Sequence, residues 1–301
     1  MSNFFHGLGI ALVTPFRADG SVAYDALQNI VEYQIHNGAD FFCILATTAE
    51  MPTLTIEEKT KIRSVVVDTV NSRVPIIIGC GGNNTHAVCE ELRAMDTSGI
   101  DAVLSVCPYY NKPTQEGLFQ HFKAVSQASP LPVILYNVPG RTGVNLSSAT
   151  TLRLAQECRN IIAIKEASGN LNQVREILNG CPEDFDVLSG DDCMTLQMIR
   201  MGAKGVISVV GNALTQRFSA MVRFVLAGKY EMAQAIDDEL KELYNLLFVE
   251  GNPPGIKSLM SQMGMLENIL RLPLVPVSDE TANKLSSFTE NKENISPQTY
   301  N

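Results

Sequence analysis

The chain has 301 residues, of which 45% are hydrophobic and 18% are charged, so it is long enough to bury a full core. Its formal net charge is -9, and no basic stripe is available to neutralise phosphates, which argues against a nucleic-acid partner or an anionic membrane surface. We therefore expect small metabolites as partners.

Short apolar runs alternate eight times with amphipathic stretches along the first three quarters of the chain. The predicted strands are residues 7–16, 41–46, 74–79, 102–107, 133–138, 161–166, 186–189 and 205–210. Helical periodicity is found between them, for example in residues 24–36, 56–71, 86–97, 115–127 and 147–157. This alternation predicts an α/β fold, a (β/α)8 barrel over residues 1–228.

The chain after residue 228 shows no further strand pattern. Helices are predicted at about 230–248, 256–263 and 279–288, with proline-rich joints at Pro253-Pro254 and between Pro273 and Pro276. We therefore predict a small C-terminal helical domain over residues 229–301, with a loose polar tail from about residue 289.

The cysteines and histidines bear on the cellular compartment and on metal binding. The seven cysteines form an odd set without a C-x-x-C motif, which is typical of buried thiols in a reducing compartment, so we expect a cytoplasmic protein. The four histidines lie far apart and lack metal-ligand spacing, so no metal site is expected. The apolar start of the chain reads as a strand instead of a signal peptide, and no uncharged stretch reaches the length of a membrane span.

Lys165 closes the apolar run of residues 161–164. A parallel strand buried on both faces rarely tolerates a lysine, because burial disfavours the charged ammonium. A neutral amine at a barrel strand end can attack a carbonyl and form a Schiff base, whereas the alternative is an ammonium that escapes into the next loop or pairs with Glu166.

Barrel enzymes keep their chemistry at the carboxyl ends of the strands, and polar residues collect there in this sequence. They are Thr47 and Thr48 after the second strand, Tyr109 and Tyr110 after the fourth, Tyr136 and Arg141 at the fifth, Lys165 at the sixth, and Asp191 and Asp192 after the seventh. Taken singly, the threonines could cap a turn, the tyrosines could pack at an interface, the arginine could be solvated and the aspartates could cap a helix. Their convergence on one face favours an active site.

These strand-end motifs resemble those of the dihydrodipicolinate synthases (4-hydroxy-tetrahydrodipicolinate synthases), which belong with N-acetylneuraminate lyase to the pyruvate-dependent class I aldolases. The resemblance runs from about residue 7 to 274 and rests on Ala46-Thr47-Thr48-Ala49-Glu50, Pro108-Tyr109-Tyr110-Asn111, Tyr136-Asn137-Val138-Pro139-Gly140-Arg141-Thr142-Gly143, Ile164-Lys165-Glu166, Ser189-Gly190-Asp191-Asp192 and Gly205-Val206-Ile207-Ser208. Gly-Arg-Thr-Gly after the Tyr-Asn-x-Pro motif favours the synthases over the lyases.

The resemblance implies a lyase of the aldolase type that condenses pyruvate with L-aspartate 4-semialdehyde through a Schiff base, in the diaminopimelate route to lysine. No metal or organic cofactor is implied. The resemblance also implies a homo-oligomer. A tetramer built from tight dimers is expected, and the sequence alone does not distinguish it from a dimer. Two alternatives remain at this point: another aldolase that acts on a 2-oxo sugar acid, and a non-catalytic ligand-binding barrel.

The family roles carry over to matching residues of this chain. Lys165 would form the imine, Tyr136 would shuttle protons, and Thr47 would link Tyr136 to Tyr110 of a neighbouring subunit. The substrate-binding residues implied in the same way are Thr48 for the pyruvate carboxylate, Ile207 and Gly190 lining the pyruvate site, and Arg141 for the carboxylate of the semialdehyde.

The sequence departs from the family pattern at two places. Ala46 and Ala49 stand where the family usually has glycine, which would cost roughly 1 kcal/mol if either position needed a positive φ. The segments that hold the effector in lysine-inhibited relatives carry Met51, Ile56 and Lys59, with Ala87 in place of a carboxylate. We therefore expect weak or absent inhibition by lysine, unless Lys59 points into solvent and another acid such as Glu58 substitutes.

Overall fold

Eight parallel strands close into a barrel in the computed structural model, which describes residues 5–289. The strands are β1 (Gly7–Ala11), β2 (Phe41–Ile44), β3 (Ile76–Gly79), β4 (Ala102–Val106), β5 (Val133–Asn137), β6 (Ile161–Glu166), β7 (Asp186–Ser189) and β8 (Gly205–Ser208). Each strand pairs with the next along the chain, and β8 pairs with β1. This closure confirms the predicted (β/α)8 fold.

Helices surround the barrel and continue beyond it. They are α1 (Tyr24–His36), α2 (Ile56–Val70), α3 (Thr85–Arg93), α4 (Gln115–Ala128), α5 (Pro139–Thr142), α6 (Ser148–Glu157), α7 (Leu171–Gly180), α8 (Thr195–Met201), α9 (Thr215–Leu226), α10 (Tyr230–Phe248), α11 (Pro254–Gln262) and α12 (Asp279–Ser286). Within residues 5–289, no helix is long and apolar enough to cross a membrane.

Local sequence explains where several helices begin. Thr55 accepts a hydrogen bond from the backbone N–H of Glu58 while the Glu58 carboxylate accepts one from the backbone of Thr55, so a capping box starts α2. Asn84 caps α3 in the simpler way, because its side-chain oxygen accepts hydrogen bonds from the backbone N–H groups of His86 and Ala87. Both helices follow a strand of the barrel, so these caps end the loops that carry the polar strand-end residues.

Several predicted boundaries are wrong by one or more residues, and three of them have a visible local cause. The first strand ends at Ala11 and not at residue 16, because the chain turns back and Phe16 forms an isolated antiparallel bridge with Val22. The last strand ends at Ser208, since a 3-10 turn, Val210–Asn212, follows it. The helix predicted for residues 86–97 ends at Arg93, before a turn in which Asp96 accepts a hydrogen bond from the backbone N–H of Ser98.

The C-terminal helices pack against the barrel. The ring of Tyr244 in α10 meets that of Phe218 in α9 edge to face, with 6.2 Å between the centroids. The division at residue 228 stays a prediction, and the predicted tail lies outside the described residues except at its first position.

Candidate active site

Lys165 lies near the end of β6 and is 5% exposed. Its Nζ is 4.4 Å from the centroid of the Tyr136 ring, which belongs to the neighbouring strand β5. The amine therefore stays inside the barrel and does not escape into the following loop. Glu166 is not its partner, because that carboxylate accepts hydrogen bonds from Asn137, Ser168 and Gln173.

The pairing of β5 with β6 sets Tyr136 opposite Lys165. In the parallel register Tyr136 is aligned with Lys165, and the next residues, Asn137 and Glu166, are aligned with each other. Successive side chains of a strand point to opposite faces, so the second pair lies on the other side of the barrel wall. There Asn137 Nδ2 donates to Glu166 Oε2 at 3.0 Å, and Gln173 Nε2 donates to the same oxygen at 3.0 Å. This buried contact ties the two strands together next to the Tyr136–Lys165 pair.

Space for the lysine side chain depends on Gly190, which follows β7. A Cβ added at Gly190 would come within 3.0 Å of Lys165 Cγ and 2.8 Å of the Ala167 Cβ. Cys43 of β2 also lies close to the amine: burial raises the pKa of its thiol to about 11, and the charge of Lys165 opposes that rise. Gly190 therefore leaves room for the Lys165 side chain because it has no side chain of its own.

The loop after β2 begins with the 3-10 turn Thr47–Ala49, and a second turn, Met51–Thr53, follows at once. Ala46 has φ -104°, so the replacement of a glycine there brings no backbone strain. Left-handed φ values fall instead on Leu45 (52°) and Glu50 (53°), the residues on either side of Ala46 to Ala49. We call residues 45–50 the threonine loop.

Thr47 and Thr48 have different surroundings within the threonine loop. Thr47 is half-buried and lines a cavity. Thr48 is 3% exposed, and its Oγ1 accepts a hydrogen bond of 3.0 Å from Asn252 Nδ2, which comes from the segment before α11. The C-terminal part of the chain therefore reaches the site.

A cavity of about 360 Å³ opens at the carboxyl ends of the strands. Its walls include Thr47, Tyr136, Arg141 and Asn252. Arg141 lies in the single turn α5 and is exposed, with its Nη2 3.5 Å from the Asn252 carbonyl oxygen. Two hydroxyls and a guanidinium thus face one space, and the buried amine of Lys165 lies beside the Tyr136 ring.

Five predicted residues, Lys165 among them, lie outside that lining. Ile207 is buried in β8, Thr48 is buried within the threonine loop, and Gly190 packs on Lys165. Tyr110 is 88% exposed with φ 73°, and it does not line this chain's own cavity, whereas its neighbour Tyr109 is one of the lining residues. A single chain therefore does not bring Tyr110 to Thr47.

The two aspartates after β7 have separate tasks. Asp191 caps the 3-10 turn Asp192–Met194 by accepting from the backbone N–H of Cys193, as one alternative reading expected. Asp192 is 2% exposed, and its Oδ2 accepts from the backbone N–H groups of Val209 and Val210, 3.0 Å each. It thereby holds the turn that follows β8 and Ile207.

Sequence reasoning missed Asn252, Glu50 and Lys257 as contributors to the site. Asn252 directly precedes the Pro253-Pro254 joint, and no role is assigned to it from the sequence. Lys257 of α11 forms a fully buried ion pair with Glu50, 207 positions earlier in the chain. The available signal was that Lys257 is the only charged residue of α11.

The arrangement suits carbonyl chemistry carried out by protein groups. An amine, a phenol and a threonine hydroxyl can form an imine and move protons, and a guanidinium can hold a carboxylate with two parallel bonds. Among residues 5–289 no three His, Cys, Asp or Glu side chains are grouped so as to hold a metal ion.

Comparison with known proteins points to one family. Residues 4–292 match the dihydrodipicolinate synthetase family. The 4-hydroxy-tetrahydrodipicolinate synthase of Phocaeicola vulgatus is 55% identical over 282 residues, which are 94% of this chain and 95% of that protein.

Solved structures agree with this match. The dihydrodipicolinate synthase from Aquifex aeolicus superposes with a TM-score of 0.91 at 43% identity, covering 95% of this chain and 97% of that one. A chloride-inhibited dihydrodipicolinate synthase from Acinetobacter baumannii complexed with pyruvate gives a TM-score of 0.91 at 38% identity, covering 95% of this chain and 98% of that one.

Proposed function

The chain belongs to the dihydrodipicolinate synthetase family, and from this premise we propose how its own residues divide the work of the reaction. The enzyme is a class I aldolase-type lyase that condenses pyruvate with L-aspartate 4-semialdehyde, a step of lysine biosynthesis. The observation that carries the assignment of roles is the buried Lys165 amine against the Tyr136 ring at the mouth of the barrel.

Lys165 is the proposed nucleophile. Its neutral amine adds to the C2 carbonyl of pyruvate, and loss of water from the carbinolamine leaves a protonated imine that accepts the electron pair released when a C3 proton departs. The resulting enamine carbon attacks the aldehyde. Tyr136 is placed to give and take these protons, because its ring lies against the amine and its side chain borders the cavity.

The threonine loop is the proposed carboxylate site for pyruvate. Thr48 is buried and fixed by Asn252, so its backbone amide and hydroxyl are held in one orientation. Ile207 at the end of β8 and Gly190 beside Lys165 complete the pyruvate subsite. Arg141 takes the carboxylate of the semialdehyde, since it stands farther out on the cavity wall and is exposed to an entering substrate.

Tyr110 is proposed to act across a subunit interface, which makes the enzyme a homo-oligomer. It is exposed on its own chain and held in a left-handed conformation, which a residue without a task on that surface would not need. A tyrosine donated by a second copy would complete a hydroxyl relay with Thr47 and Tyr136, and pairs of such dimers would form the tetramer. The seven cysteines are all free thiols, which supports a reducing, cytoplasmic setting.

Lysine is proposed to be a poor inhibitor of this enzyme. Lys59 is half-buried, and it opposes the rise in the pKa of the Cys80 thiol that burial and Glu91 cause, so its positive charge lies near a residue lining the cavity. Glu58 does not substitute for the missing acid, because Arg271 holds both of its oxygens. A cationic effector would meet a like charge there.

The direct test is chemical trapping. Wild-type enzyme is treated with pyruvate and borohydride, and mass spectrometry should find one reduced pyruvate unit on the peptide that contains Lys165. Lys165→Ala should give no adduct, whereas Lys61→Ala, which removes an exposed lysine of α2, should give the wild-type yield. An adduct that survives Lys165→Ala would overturn the assignment. Assays with L-aspartate 4-semialdehyde and with 2-oxo sugar acids then separate the synthase from the lyase alternative.

A further inference from the structure

We propose that Lys257 is a positioning residue for the threonine loop and acts through its buried ion pair with Glu50. The C-terminal helical segment then has a task in catalysis, which is to hold the proposed carboxylate subsite in shape. This inference rests on the proposed function, because its consequence is expected in pyruvate binding.

The ion pair is completely enclosed. Both side chains are 0% exposed, and Lys257 Nζ donates to Glu50 Oε1 at 2.5 Å and to the carbonyl oxygen of Ile269 at 3.0 Å. The second oxygen of Glu50 accepts from the backbone N–H of Arg271 at 3.0 Å. The ammonium also lies 4.1 Å from the centroid of the Phe16 ring. Three distant segments of the chain therefore meet at the Glu50 carboxylate.

Glu50 transmits this contact to the threonines. Its backbone N–H bonds to the Thr47 carbonyl at 3.1 Å, and its carbonyl accepts from Thr53, so it joins the two 3-10 turns. It does so with φ 53°, a left-handed conformation that is unfavourable for a residue other than glycine. A side chain anchored at both oxygens holds the backbone there in spite of that cost.

The same C-terminal stretch makes a second contact with the threonine loop. Asn252 stands five positions before Lys257 and donates to Thr48 Oγ1. The ion pair contacts the threonine loop at Glu50, and this hydrogen bond contacts it at Thr48, on the other side of Ala49. Movement of α11 would therefore shift both threonines.

Stability alone does not account for the pair. Burial lowers the pKa of Lys257 to about 8, although Glu50 opposes the shift, which shows how strongly the surroundings disfavour the charge. Apolar residues of similar size commonly replace a buried ion pair with no loss of stability. What apolar residues cannot supply is a directional contact with a left-handed turn, so positioning is the function that the pair retains.

The experiment removes both charges together. In Glu50→Gln/Lys257→Met no uncompensated charge is left buried, so the double variant should keep a thermal midpoint near that of the wild type. Its KM for pyruvate should rise about tenfold, the loss expected when a few hydrogen bonds lose their alignment, while KM for the semialdehyde changes little. If that double variant folds poorly, Glu50→Gln/Lys257→Leu, which likewise leaves no charge buried, should show the same split.

A matched control comes from the other ion pair of this segment. Arg271 and Glu58 join the C-terminal stretch to α2 and are about one-fifth exposed. Glu58→Gln should leave KM for pyruvate unchanged. An equal rise in Glu58→Gln would show general loosening and overturn the proposal, as would a wild-type KM for pyruvate in the double variant.

A second measurement tests whether the effect passes through Thr48. In a Thr48→Val background the Glu50→Gln/Lys257→Met change should add less to KM for pyruvate than it does in the wild type, since the hydroxyl that it positions is gone and only the backbone amide remains. Additive effects would contradict the proposal. Borohydride trapping in the wild type is run alongside. If the wild type forms no Lys165 adduct, the proposed function is wrong. If the adduct is normal but KM for pyruvate does not change in the double variant, only this inference is wrong.

Discussion

The buried carboxyl of Asp192 should make the stability of the protein depend on pH in the weakly acidic range. Burial raises its pKa to about 6, although hydrogen bonds from Ser208 and from the backbone N–H groups of Val209 and Val210 lower it, and the charge of Asp191 adds to the rise. A carboxyl with a raised pKa binds its proton more tightly in the folded state. It therefore stabilises the folded state fully below its ordinary value of 3.8, and that contribution is lost as the pH rises through about 6.

The magnitude follows from the two pKa values. A gap from 3.8 to about 6 corresponds to about 3 kcal/mol of unfolding free energy. Integrating the proton uptake gives about 2 kcal/mol of this loss between about pH 4.5 and about pH 8. That amount is a sizeable part of the total stability of a typical domain, so it is within reach of measurement.

Asp192→Asn isolates the effect. Its amide oxygen can still accept from both backbone amides, but it does not titrate. Unfolding in urea, measured for wild type and variant at several pH values, should show the variant gaining about 2 kcal/mol relative to the wild type from about pH 4.5 to about pH 8. Asp192→Ala, which removes the acceptors as well, should differ from Asp192→Asn by the same amount at every pH. A difference between Asp192→Asn and wild type that does not change with pH would refute the reasoning.

The other predictions concern the proposed roles. Arg141→Ala should leave the borohydride adduct intact but raise KM for the semialdehyde, as the loss of a bidentate carboxylate contact of about 2–4 kcal/mol would; a raised KM for pyruvate with an unchanged KM for the semialdehyde would reverse the assignment. Tyr110→Phe chains mixed with Lys165→Ala chains should regain part of the lost activity, because mixed oligomers contain sites with both groups; mixed oligomers without activity would place the relay within one chain. Lysine titrated into the assay from micromolar to tens of millimolar should inhibit weakly, and half-inhibition below about 1 mM would contradict the effector proposal.

The barrel could be predicted from sequence because its signal is local. Residues 161–166 and 186–189 were predicted with the bounds that β6 and β7 have, since a strand buried on both faces reads as an apolar run that ends at the first polar residue. The longest helix, α10, was likewise predicted with its observed bounds from its apolar periodicity. The 3-10 turns after β2 and β8 were missed, because two or three residues are too short for any periodicity to appear.

The strand-end residues could be placed near one another for a topological reason. In a closed parallel barrel every strand delivers its carboxyl end to the same rim, so Thr47, Tyr136 and Lys165 converge once the strands are identified. For Tyr110, the role across a subunit interface was predicted only from the family resemblance. Its exposure and its left-handed φ are properties of the folded chain and cannot be seen in the sequence.

The contacts that hold the threonine loop follow a different rule. Lys257 and Asn252 reach Glu50 and Thr48 from beyond the last strand, and their position depends on how α10 and α11 pack against the barrel and not on the barrel's own repeat. No periodic pattern links residues 207 positions apart. The sequence could therefore show only that polar residues occur in the C-terminal segment, and not which residues they contact. The barrel strands bring the proposed reacting groups to one rim, but the proposed pyruvate subsite is contacted by chain that lies outside the barrel. A domain boundary at residue 228 therefore separates the C-terminal helices from the barrel along the chain, but it assigns residues of the proposed active site to both sides.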